Sequence, residues 1–216
     1  VTDPPYGIGA DKGQFNRSRK RYGASWAPST DYGFSDWDNS PPSTDLVFLI
    51  REISVHQIIF GGNYFELPRS RCWLIWDKQN GINDYADCEM AWTNLNKPVR
   101  RIYWRWHGMI RRGDEERFHP TQKPTGVMKW CIEHLPEPNR TILDPFAGSG
   151  TTGVAAVQLG RRFIGIEIDE GYFSTMCRRI ENAVSQPDLF IPQPLAPESE
   201  QLSLAPESEQ LSLAIV

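Results

Sequence analysis

A carboxylate, two prolines and an aromatic ring stand together near the start of the chain, as Asp3-Pro4-Pro5-Tyr6. This combination suits the methylation of an exocyclic amine on an aromatic ring, whose nitrogen is a poor nucleophile because its lone pair is delocalised. A carboxylate can accept one N–H of such an amine and a backbone carbonyl the other, and prolines fix φ and so hold that carbonyl in place. The aromatic ring can stack on an extruded base. The same residues also suit an ordinary turn, in which Asp and Pro are common.

A glycine-rich segment later in the chain has the features of a nucleoside-binding turn. Residues 141–150, TILDPFAGSG, consist of a short apolar strand that ends at Asp144 and a turn in which Gly148 and Gly150 permit the close approach of a ligand. A second strand follows and carries Glu167 near its carboxyl end, where an acid can accept hydrogen bonds from both hydroxyls of a ribose. The spacing is not that of a P-loop. A turn that needs glycine only for packing is the alternative.

Three segments in this order resemble the amino-group DNA methyltransferases: DPPY at 3–6, HPTQKP at 119–124 and DPFAGSGTT at 144–152. The order is similar to that of the circularly permuted β-type group, and the resemblance covers residues 1–184. It implies a Rossmann-like, S-adenosylmethionine-dependent methyltransferase fold, an α/β fold with a mostly parallel twisted sheet and helices on both faces. It also implies methyl transfer to N6 of a flipped-out adenine in double-stranded DNA, because DPPY favours adenine N6 over cytosine N4 in this family.

The resemblance further implies roles for individual residues. The target amino group is held by Asp3 and the Pro4 carbonyl within the motif that Pro5 and Tyr6 complete, and Tyr6 stacks on the base. Glu167 holds the ribose, and polar groups of the HPTQKP segment lie by the methionine end. No metal is expected, nor general-base catalysis by a histidine. The residues expected to hold S-adenosylmethionine are Asp144, Phe146, Ala147, Gly148, Ser149, Gly150, Thr151, Thr152, Glu167, Ile168, His119, Thr121 and Lys123. Segments 61–65 and 73–78 also resemble the family, without an assigned role.

Basic residues interleaved with aromatic ones are the candidates for DNA contact. They lie in two segments, 7–42 and 100–118, where the resemblance places target recognition; residues 7–42 and 105–118 are long and irregular. Basic side chains neutralise phosphates and flat ones stack on bases, although a solvated surface explains such a composition equally well. The candidates are Arg17, Arg19, Lys20, Arg21, Arg105, Arg111 and Arg112.

Alternating strands and helices indicate one α/β catalytic domain over residues 1–185. Composition predicts strands at 57–60, 72–76, 101–106, 141–143 and 162–168. Apolar spacing predicts helices at 45–54, 125–134, 151–159 and 170–183. Only Val1 and Thr2 precede Asp3, so most of the strand that should lead into Asp3, and the strand expected beside the one with Glu167, are expected to be missing. The sequence is therefore interpreted as N-terminally truncated.

The last residues differ in composition from the rest. Residues 186–216 contain five acids, no base and a direct repeat of LAPESEQLS, which predicts a disordered acidic tail. Of the 27 acids, 22 therefore lie in residues 1–185, against 23 bases. The net charge of −4 is thus no argument against a polyanionic partner.

The positions of the cysteines and the hydropathy of the chain indicate in which cellular compartment the protein works. The four cysteines are far apart and form no CxxC pair, so neither a zinc site nor a disulfide framework is expected. The apolar runs are too short to span a bilayer. We expect a cytoplasmic enzyme of bacterial or phage origin, with no membrane association. Its expected partner is DNA, and the family adds a homodimer and a cognate restriction endonuclease as further candidates.

Several alternatives stay open from the sequence. The acceptor could be N4 of cytosine, RNA or a protein glutamine, although glutamine methylation goes with Asn before Pro-Pro-Tyr. A catalytically inactive remnant that binds cofactor or DNA is an alternative of another class, which the short start favours. A nicotinamide oxidoreductase is disfavoured, because the turn is DxFxGxG rather than GxGxxG.

Overall fold

A computed structural model describes residues 1–9, 38–80, 86–107, 110–111, 115–118, 121–136, 140–185 and 212–215. The chain divides into two units, each of which is described by itself. The first unit is Asp3–Lys123, and the second is Val1–Thr2 together with Pro124–Val216. The domain predicted over residues 1–185 spans both units.

The first unit is built on a mixed four-stranded sheet. Its elements are α1 (Thr44–Glu52), β1 (Ile58–Phe60), β2 (Trp73–Asp77), β3 (Cys88–Thr93), β4 (Arg100–Tyr103), β5 (Trp106–His107) and β6 (Ile110–Arg111). The strand order is β1-β3-β2-β4, in which β3 is antiparallel to both neighbours and β4 is parallel to β2. β5 and β6 form a separate antiparallel pair.

The core of this unit follows from the pattern of its strands. All three residues of β1 are buried, and β2 buries Leu74 and Trp76 while the residues between them are partly exposed. This alternation places every second side chain of β2 on the core face. Ser43 caps α1 by accepting a hydrogen bond from the backbone N–H of Leu46 at 3.2 Å.

The second unit combines a small sheet with three helices. Its elements are α2 (Thr125–Glu133), β7 (Ile142–Asp144), α3 (Thr151–Gln158), β8 (Phe163–Glu167), α4 (Glu170–Ser185) and β9 (Ser212–Ile215). β7 and β8 are parallel, and β9 is antiparallel to β8. The N-terminal residues lie beside β7, because the Val1 nitrogen donates to the Leu143 carbonyl at 3.0 Å.

Small residues on α3 allow a close approach of its neighbours. Gly153, Ala155 and Ala156 are buried on α3. A Cβ built on Gly153 would lie 2.4 Å from Cδ1 of Ile180 on α4 and 2.8 Å from Cε1 of Phe163 on β8. Helix α4 is therefore held close to α3, and this contact helps to place the start of α3, where the glycine-rich turn ends.

The predicted α/β class and the helices are confirmed. All four predicted helices are present, with ends that differ by up to two residues. The parallel pairing predicted for the sheet occurs in β2–β4 and β7–β8, whereas β3 and β9 add antiparallel pairs. β3 was not predicted, and the strand predicted at 101–106 consists of β4 and part of β5.

Within the tail predicted to be disordered, the structure describes the backbone of Ser212–Ile215 as β9. For these four residues the structure differs from the prediction, because the sequence SLAI lacks the acids and prolines of the repeat and β8 offers an edge for pairing. The rest of 186–216 lies outside the described residues. No helix in the described ranges is long and apolar enough to cross a membrane.

Candidate functional site

The first candidate site surrounds the carboxylate of the DPPY segment. The Tyr6 hydroxyl donates to Asp3 Oδ1 at 2.6 Å, and Lys123 Nζ lies 2.5 Å from Asp3 Oδ2. Lys123 also lies 2.8 Å from Glu89 Oε2. We refer to Asp3, Tyr6, Glu89 and Lys123 as the Asp3 cluster. Its members come from the chain start, from β3 and from the segment before α2, so only the folded first unit brings them together.

Charges alternate along the cluster and continue to Lys78. Lys78 Nζ lies 2.6 Å from Glu89 Oε1, so Glu89 is paired with a lysine at each oxygen. The Lys123 side chain is only 6% exposed. A buried ammonium is costly unless it is paired, and Asp3 and Glu89 supply that pairing.

The environment shifts the pKa of each member of the cluster. Burial raises the pKa of Asp3, and Lys123 offsets part of this effect. Burial also acts to raise the pKa of Glu89, but Lys123 and Lys78 lower it to about 2. Burial alone would lower the pKa of Lys123, but Asp3 and Glu89 raise it above its usual value. Burial and the Asp3 carboxylate raise the pKa of Tyr6 well above its usual value, so the hydroxyl remains a donor at neutral pH.

Aromatic residues enclose the ring of Tyr6. Tyr64 stacks on it with ring centroids 4.9 Å apart and an angle of 14° between the planes, and Phe65 packs edge-on at 6.3 Å. Tyr64 is 47% exposed. Gly61, directly after β1, has φ +66°, and a Cβ there would lie 2.1 Å from Cε1 of Tyr6. Glycine at position 61 is therefore required by both the backbone and the ring.

A buried aspartate fixes the backbone after the prolines. Asp38 Oδ1 accepts the backbone N–H groups of Tyr6 and Gly7, both at 2.8 Å, and Asp38 is 1% exposed. Sequence analysis did not identify Asp38, Glu89, Tyr64 or Lys78 as site residues. Tyr64 and Lys78 lie in the segments 61–65 and 73–78, whose resemblance to the family was the available indication. The sequence pattern gave no such indication for Asp38 or Glu89.

The second candidate site is the glycine-rich turn of the second unit. Asp144, at the end of β7, is 2% exposed. It accepts hydrogen bonds from the hydroxyls of Thr2 at 2.7 Å and Thr152 at 2.5 Å, and from the backbone N–H of Phe146 at 3.1 Å. These three hydrogen bonds therefore fix the turn to the end of β7.

Glu167, at the end of β8, is oriented by backbone donors. Gly148 N–H donates to Oε2 at 2.7 Å and Asp169 N–H to Oε1 at 2.9 Å. Burial raises the pKa of Glu167, and these two N–H groups act in the opposite direction. Gly148 has φ +52°, and a Cβ there would meet nothing within 4 Å. The turn thus leaves space beside an oriented carboxylate, which suits a ribose.

Arg179 of α4 supports the remainder of the turn. It donates to the Ser149 carbonyl at 2.6 Å, to the Ser149 hydroxyl at 3.0 Å and to the Thr151 hydroxyl at 3.2 Å. Gly150 has φ +81°, and a Cβ there would lie 2.6 Å from Met176 Cγ. Ser149 and Thr151 are buried, so their hydroxyls serve the turn itself.

The other predicted site residues have varied surroundings. Pro4 and Ala147 are buried, and Pro5, Phe146 and Thr121 are partly exposed. Ile168 is 86% exposed. The structure places Lys123 in the Asp3 cluster, whereas the sequence predicts it by the methionine end of the cofactor. His119 lies outside the described residues. Among the described residues, no group of His, Cys, Asp and Glu could hold a metal ion.

The predicted DNA-contacting residues are only partly described. Arg105 is exposed, as are Arg100 and Arg101 of β4, and the Arg101 guanidinium lies 4.4 Å from the ring centroid of Tyr103. Arg111 belongs to β6. The candidates outside the described residues are Arg17, Arg19, Lys20, Arg21 and Arg112.

Comparison with known proteins finds similarity to DNA methylases over part of the chain. The N6/N4 methyltransferase model, described as a DNA methylase, matches residues 73–178. The putative methylase YubD of Escherichia coli (strain K12) is 39% identical over 105 residues, 45% of this chain and 43% of that protein. The type II methyltransferase M2.DpnII of Streptococcus pneumoniae is 37% identical over 114 residues, 52% of this chain and 38% of that protein. The DNA adenine methyltransferase YhdJ of E. coli (strain K12) is 49% identical over 70 residues, 32% of this chain and 24% of that protein.

Among solved structures, the M1.HpyAVI–SAM complex is 29% identical with a TM-score of 0.46, over 58% of this chain and 74% of that one. The chain spans less than half the length of each of the three curated relatives named above. The matched residues include β2, β3 and β7, the glycine-rich turn and most of α4. The family match and these relatives show that residues 73–178 are similar to the N6/N4 family of DNA methylases.

Proposed function

We propose that this chain transfers a methyl group from S-adenosylmethionine to N6 of a flipped-out adenine in double-stranded DNA. The observation that carries this proposal is the Asp3 carboxylate, held at both oxygens by Tyr6 and Lys123 at the head of the DPPY segment. A fixed carboxylate beside a fixed backbone carbonyl is the arrangement that an exocyclic amine needs. Catalysis then consists mostly of positioning.

The amino group would be held by Asp3 and by the Pro4 carbonyl. Each accepts one N–H, which favours a pyramidal nitrogen with its lone pair directed away from the ring. A carboxylate oxygen can accept more than one hydrogen bond, so Asp3 can bind the amine while Lys123 stays in place. The backbone of this segment is fixed by the bonds from Tyr6 and Gly7 to Asp38.

The base would stack on Tyr6. Tyr64 covers one face of that ring, so the base either uses the other face or takes the place of Tyr64. Stacking of a base on an aromatic side chain contributes about 1–3 kcal/mol. This energy offsets part of the cost of removing the base from the duplex.

The glycine-rich turn would hold the cofactor. S-adenosylmethionine supplies the activated methyl group when it is bound. Glu167 would accept hydrogen bonds from the ribose hydroxyls, and the backbone at Gly148 would approach the ligand without a side chain in between. The oriented Glu167 carboxylate and the free space at Gly148 support this assignment.

The names of the relatives support adenine and DNA as the substrate. YhdJ is a DNA adenine methyltransferase, and M2.DpnII is a type II methyltransferase. By this analogy we place the chain on DNA in a bacterial or phage setting, in the cytoplasm, where such DNA lies. A homodimer and a cognate restriction endonuclease stay predictions from the family resemblance.

The proposal is tested by product analysis. The purified chain is incubated with S-adenosylmethionine and methyl-free genomic DNA, which is then digested to nucleosides and analysed by mass spectrometry. Asp3→Ala serves as the inactive variant and Asp45→Ala, on the first turn of α1, as the matched control. We expect N6-methyladenine from the unmodified chain and from the control, but not from Asp3→Ala.

Other outcomes would change the proposal in defined ways. N4-methylcytosine would keep the mechanism and overturn the choice of base. N6-methyladenine from Asp3→Ala would remove Asp3 from the mechanism. The absence of any methylated base would favour an inactive chain that binds cofactor or DNA.

A further inference from the structure

The strand that the sequence does not predict carries a charged residue into the Asp3 cluster. Glu89 lies on β3 and reaches Lys123 Nζ at 2.8 Å, while the same nitrogen lies 2.5 Å from Asp3 Oδ2. The Lys123 side chain is 6% exposed, so water contributes little to its pairing. Two carboxylates therefore share one buried ammonium. The position and the acceptor strength of one depend on the charge of the other.

We propose that Glu89 is a positioning residue for Asp3: through Lys123 it holds the Asp3 carboxylate in place and leaves it free to accept the amino group. This inference rests on the proposed function, because it concerns how Asp3 performs that role. Glu89 contacts Lys123 and Lys78, so its effect on Asp3 passes through Lys123.

The physical basis of this proposal is that Asp3 and Glu89 share the positive charge of Lys123. With Glu89 ionised, Lys123 is attracted to two carboxylates, and its hold on Asp3 is moderated. With a neutral residue at position 89, the whole charge of Lys123 acts on Asp3, which makes Asp3 a weaker acceptor for the amine. Lys78 has the opposite influence, because it neutralises part of the charge of Glu89 at 2.6 Å.

Substitutions of Glu89 and of Lys78 should shift the pKa of Asp3 in opposite directions. The charged and titratable groups that face Asp3 are Lys123, Tyr6 and Glu89, and Lys78 faces Glu89. Glu89 is one of the groups that raise the pKa of Asp3, so Glu89→Gln should lower that pKa. Lys78→Met leaves Glu89 less neutralised and should raise it. The ionised form of Asp3 is the acceptor, so activity is lost as pH falls through this pKa.

The test measures the acid limb of the pH profile of kcat for the wild type, Glu89→Gln, Lys78→Met and the matched control Glu52→Gln. Glu52 is exposed at the end of α1 and outside the cluster. We expect the acid limb to move to lower pH in Glu89→Gln, to higher pH in Lys78→Met and not at all in Glu52→Gln. We also expect kcat of Glu89→Gln to fall by about tenfold to hundredfold, because Lys123 loses one of its two anchors and Asp3 becomes a weaker acceptor, with KM for DNA nearly unchanged.

A second readout does not require catalysis. A ¹³C NMR titration of the Asp3 carboxyl carbon, assigned by its absence in Asp3→Asn, reports the pKa of Asp3 directly. We expect the pKa of Asp3 to be lowest in Glu89→Gln, intermediate in the wild type and highest in Lys78→Met. The Lys78 side chain is 19% exposed, more than the 6% of Lys123, and methionine keeps its apolar stem, so Lys78→Met tests the inference even if Glu89→Gln does not fold.

The outcomes separate this inference from the proposed function. A wild type that makes no methylated base while the NMR shifts appear would remove the proposed function but keep the coupling of Glu89 to Asp3. A wild type that methylates DNA, with no displacement of the limb or of the NMR titration in either variant, would overturn the inference. If Glu89→Gln lowered the thermal stability but left the acid limb of the pH profile unmoved, Glu89 would have a structural role only, and the inference would likewise be overturned.

Discussion

At the scale of single residues, two carboxylates are oriented by different kinds of donor. Asp3 is held by side chains, the Tyr6 hydroxyl and the Lys123 ammonium, whereas Glu167 is held by the backbone N–H groups of Gly148 and Asp169. Backbone donors are fixed by the turn itself, while side-chain donors can change with rotamer or charge. We therefore expect Glu167 to be insensitive to neighbouring substitutions and Asp3 to be sensitive to them.

Glu167→Gln should weaken the binding of S-adenosylmethionine by about tenfold to hundredfold, because hydrogen bonds to a charged group contribute about 1.5–3 kcal/mol. Isothermal titration calorimetry at neutral pH measures this change. Glu170→Gln, on the first turn of α4, is the matched control and should bind as the wild type does. Equal affinity in Glu167→Gln and the wild type would exclude Glu167 as the ribose acceptor.

The affinity for S-adenosylmethionine should also depend on pH through the same residue. Burial raises the pKa of Glu167, and the ionised form is the acceptor. Affinity should therefore decline, as pH falls, at a higher pH than for an ordinary glutamate. The same calorimetry at a series of pH values checks this, and Glu167→Gln should show no such decline. A wild-type affinity that stays constant down to the usual range of glutamate would contradict the prediction.

Single residues also show how far the sequence determines the site. Asp3, Tyr6 and Glu167 can be predicted as site residues because their chemistry is typical of a motif at a given spacing. Lys123 belongs to such a motif, yet its partner Asp3 is 120 residues away in sequence, and only the fold pairs them. Glu89 and Asp38 lie outside any motif, so their contribution depends entirely on tertiary contacts.

At the scale of elements, β3 illustrates why a strand can be missed. Its sequence CEMAWT contains Glu, Met and Ala, which favour helices, and only one β-branched residue, at its end. It becomes a strand because it pairs with β1 on one side and β2 on the other. The helices were predicted correctly because their apolar spacing is local; in α4, the buried Met176 and Ile180 are four residues apart.

Gly153→Ala should destabilise the second unit in spite of its better helix propensity. Alanine gains about 0.5–1 kcal/mol over glycine within a helix. The added Cβ would lie 2.4 Å from Ile180 Cδ1 and 2.8 Å from Phe163 Cε1. Such overpacking costs about 1–3 kcal/mol, so the free energy of unfolding should fall by up to about 2.5 kcal/mol. Urea denaturation measures this change.

A double variant tests the stated cause. Ile180→Val removes the Cδ1 atom that meets the new Cβ and by itself costs about 0.5–1.5 kcal/mol. Combined with Gly153→Ala it should cost less than the sum of the two single changes, with a coupling of at least about 0.5 kcal/mol. Strict additivity would show that the contact with Ile180 is not the cause.

At the scale of the whole molecule, the charge is unevenly distributed between the tail and the rest of the chain. Residues 1–185 carry 23 bases and 22 acids, and exposed arginines follow one another on and after β4. A polyanion would be attracted by this local surface rather than by the net charge of −4.

Replacing both Arg101 and Arg105 by Gln should weaken binding to DNA of any sequence. Each phosphate contact contributes a little under one unit to the slope of log affinity against log salt, so the slope should fall by about 1–2. Fluorescence anisotropy at several NaCl concentrations measures this slope. Arg178→Gln, on the exposed side of α4, is the control, and an equal effect of that variant would argue against a specific role for the β4 surface.

The strand β9 should contribute to stability through its pairing with β8. Truncation after Ser185 removes β9 and the pairing of Ile215 and Ala214 with β8, and it should cost about 1–2 kcal/mol, or a few degrees in Tm. Deletion of 195–203 removes one copy of the repeat and leaves the sequence of β9 intact. Thermal denaturation should show a lower Tm for the truncation and an unchanged Tm for the deletion. Equal Tm values for both would mean that β9 does not stabilise β8.

The close approach of Gly61 to Tyr6 has a consequence for the history of the family. The volume that a side chain at position 61 would occupy is already filled by the Tyr6 ring, since the two atoms would be only 2.1 Å apart. The two positions should therefore change together among relatives. A relative with alanine in place of this glycine should have a residue smaller than tyrosine after its two prolines, and would therefore lack the ring that we propose as the stacking surface.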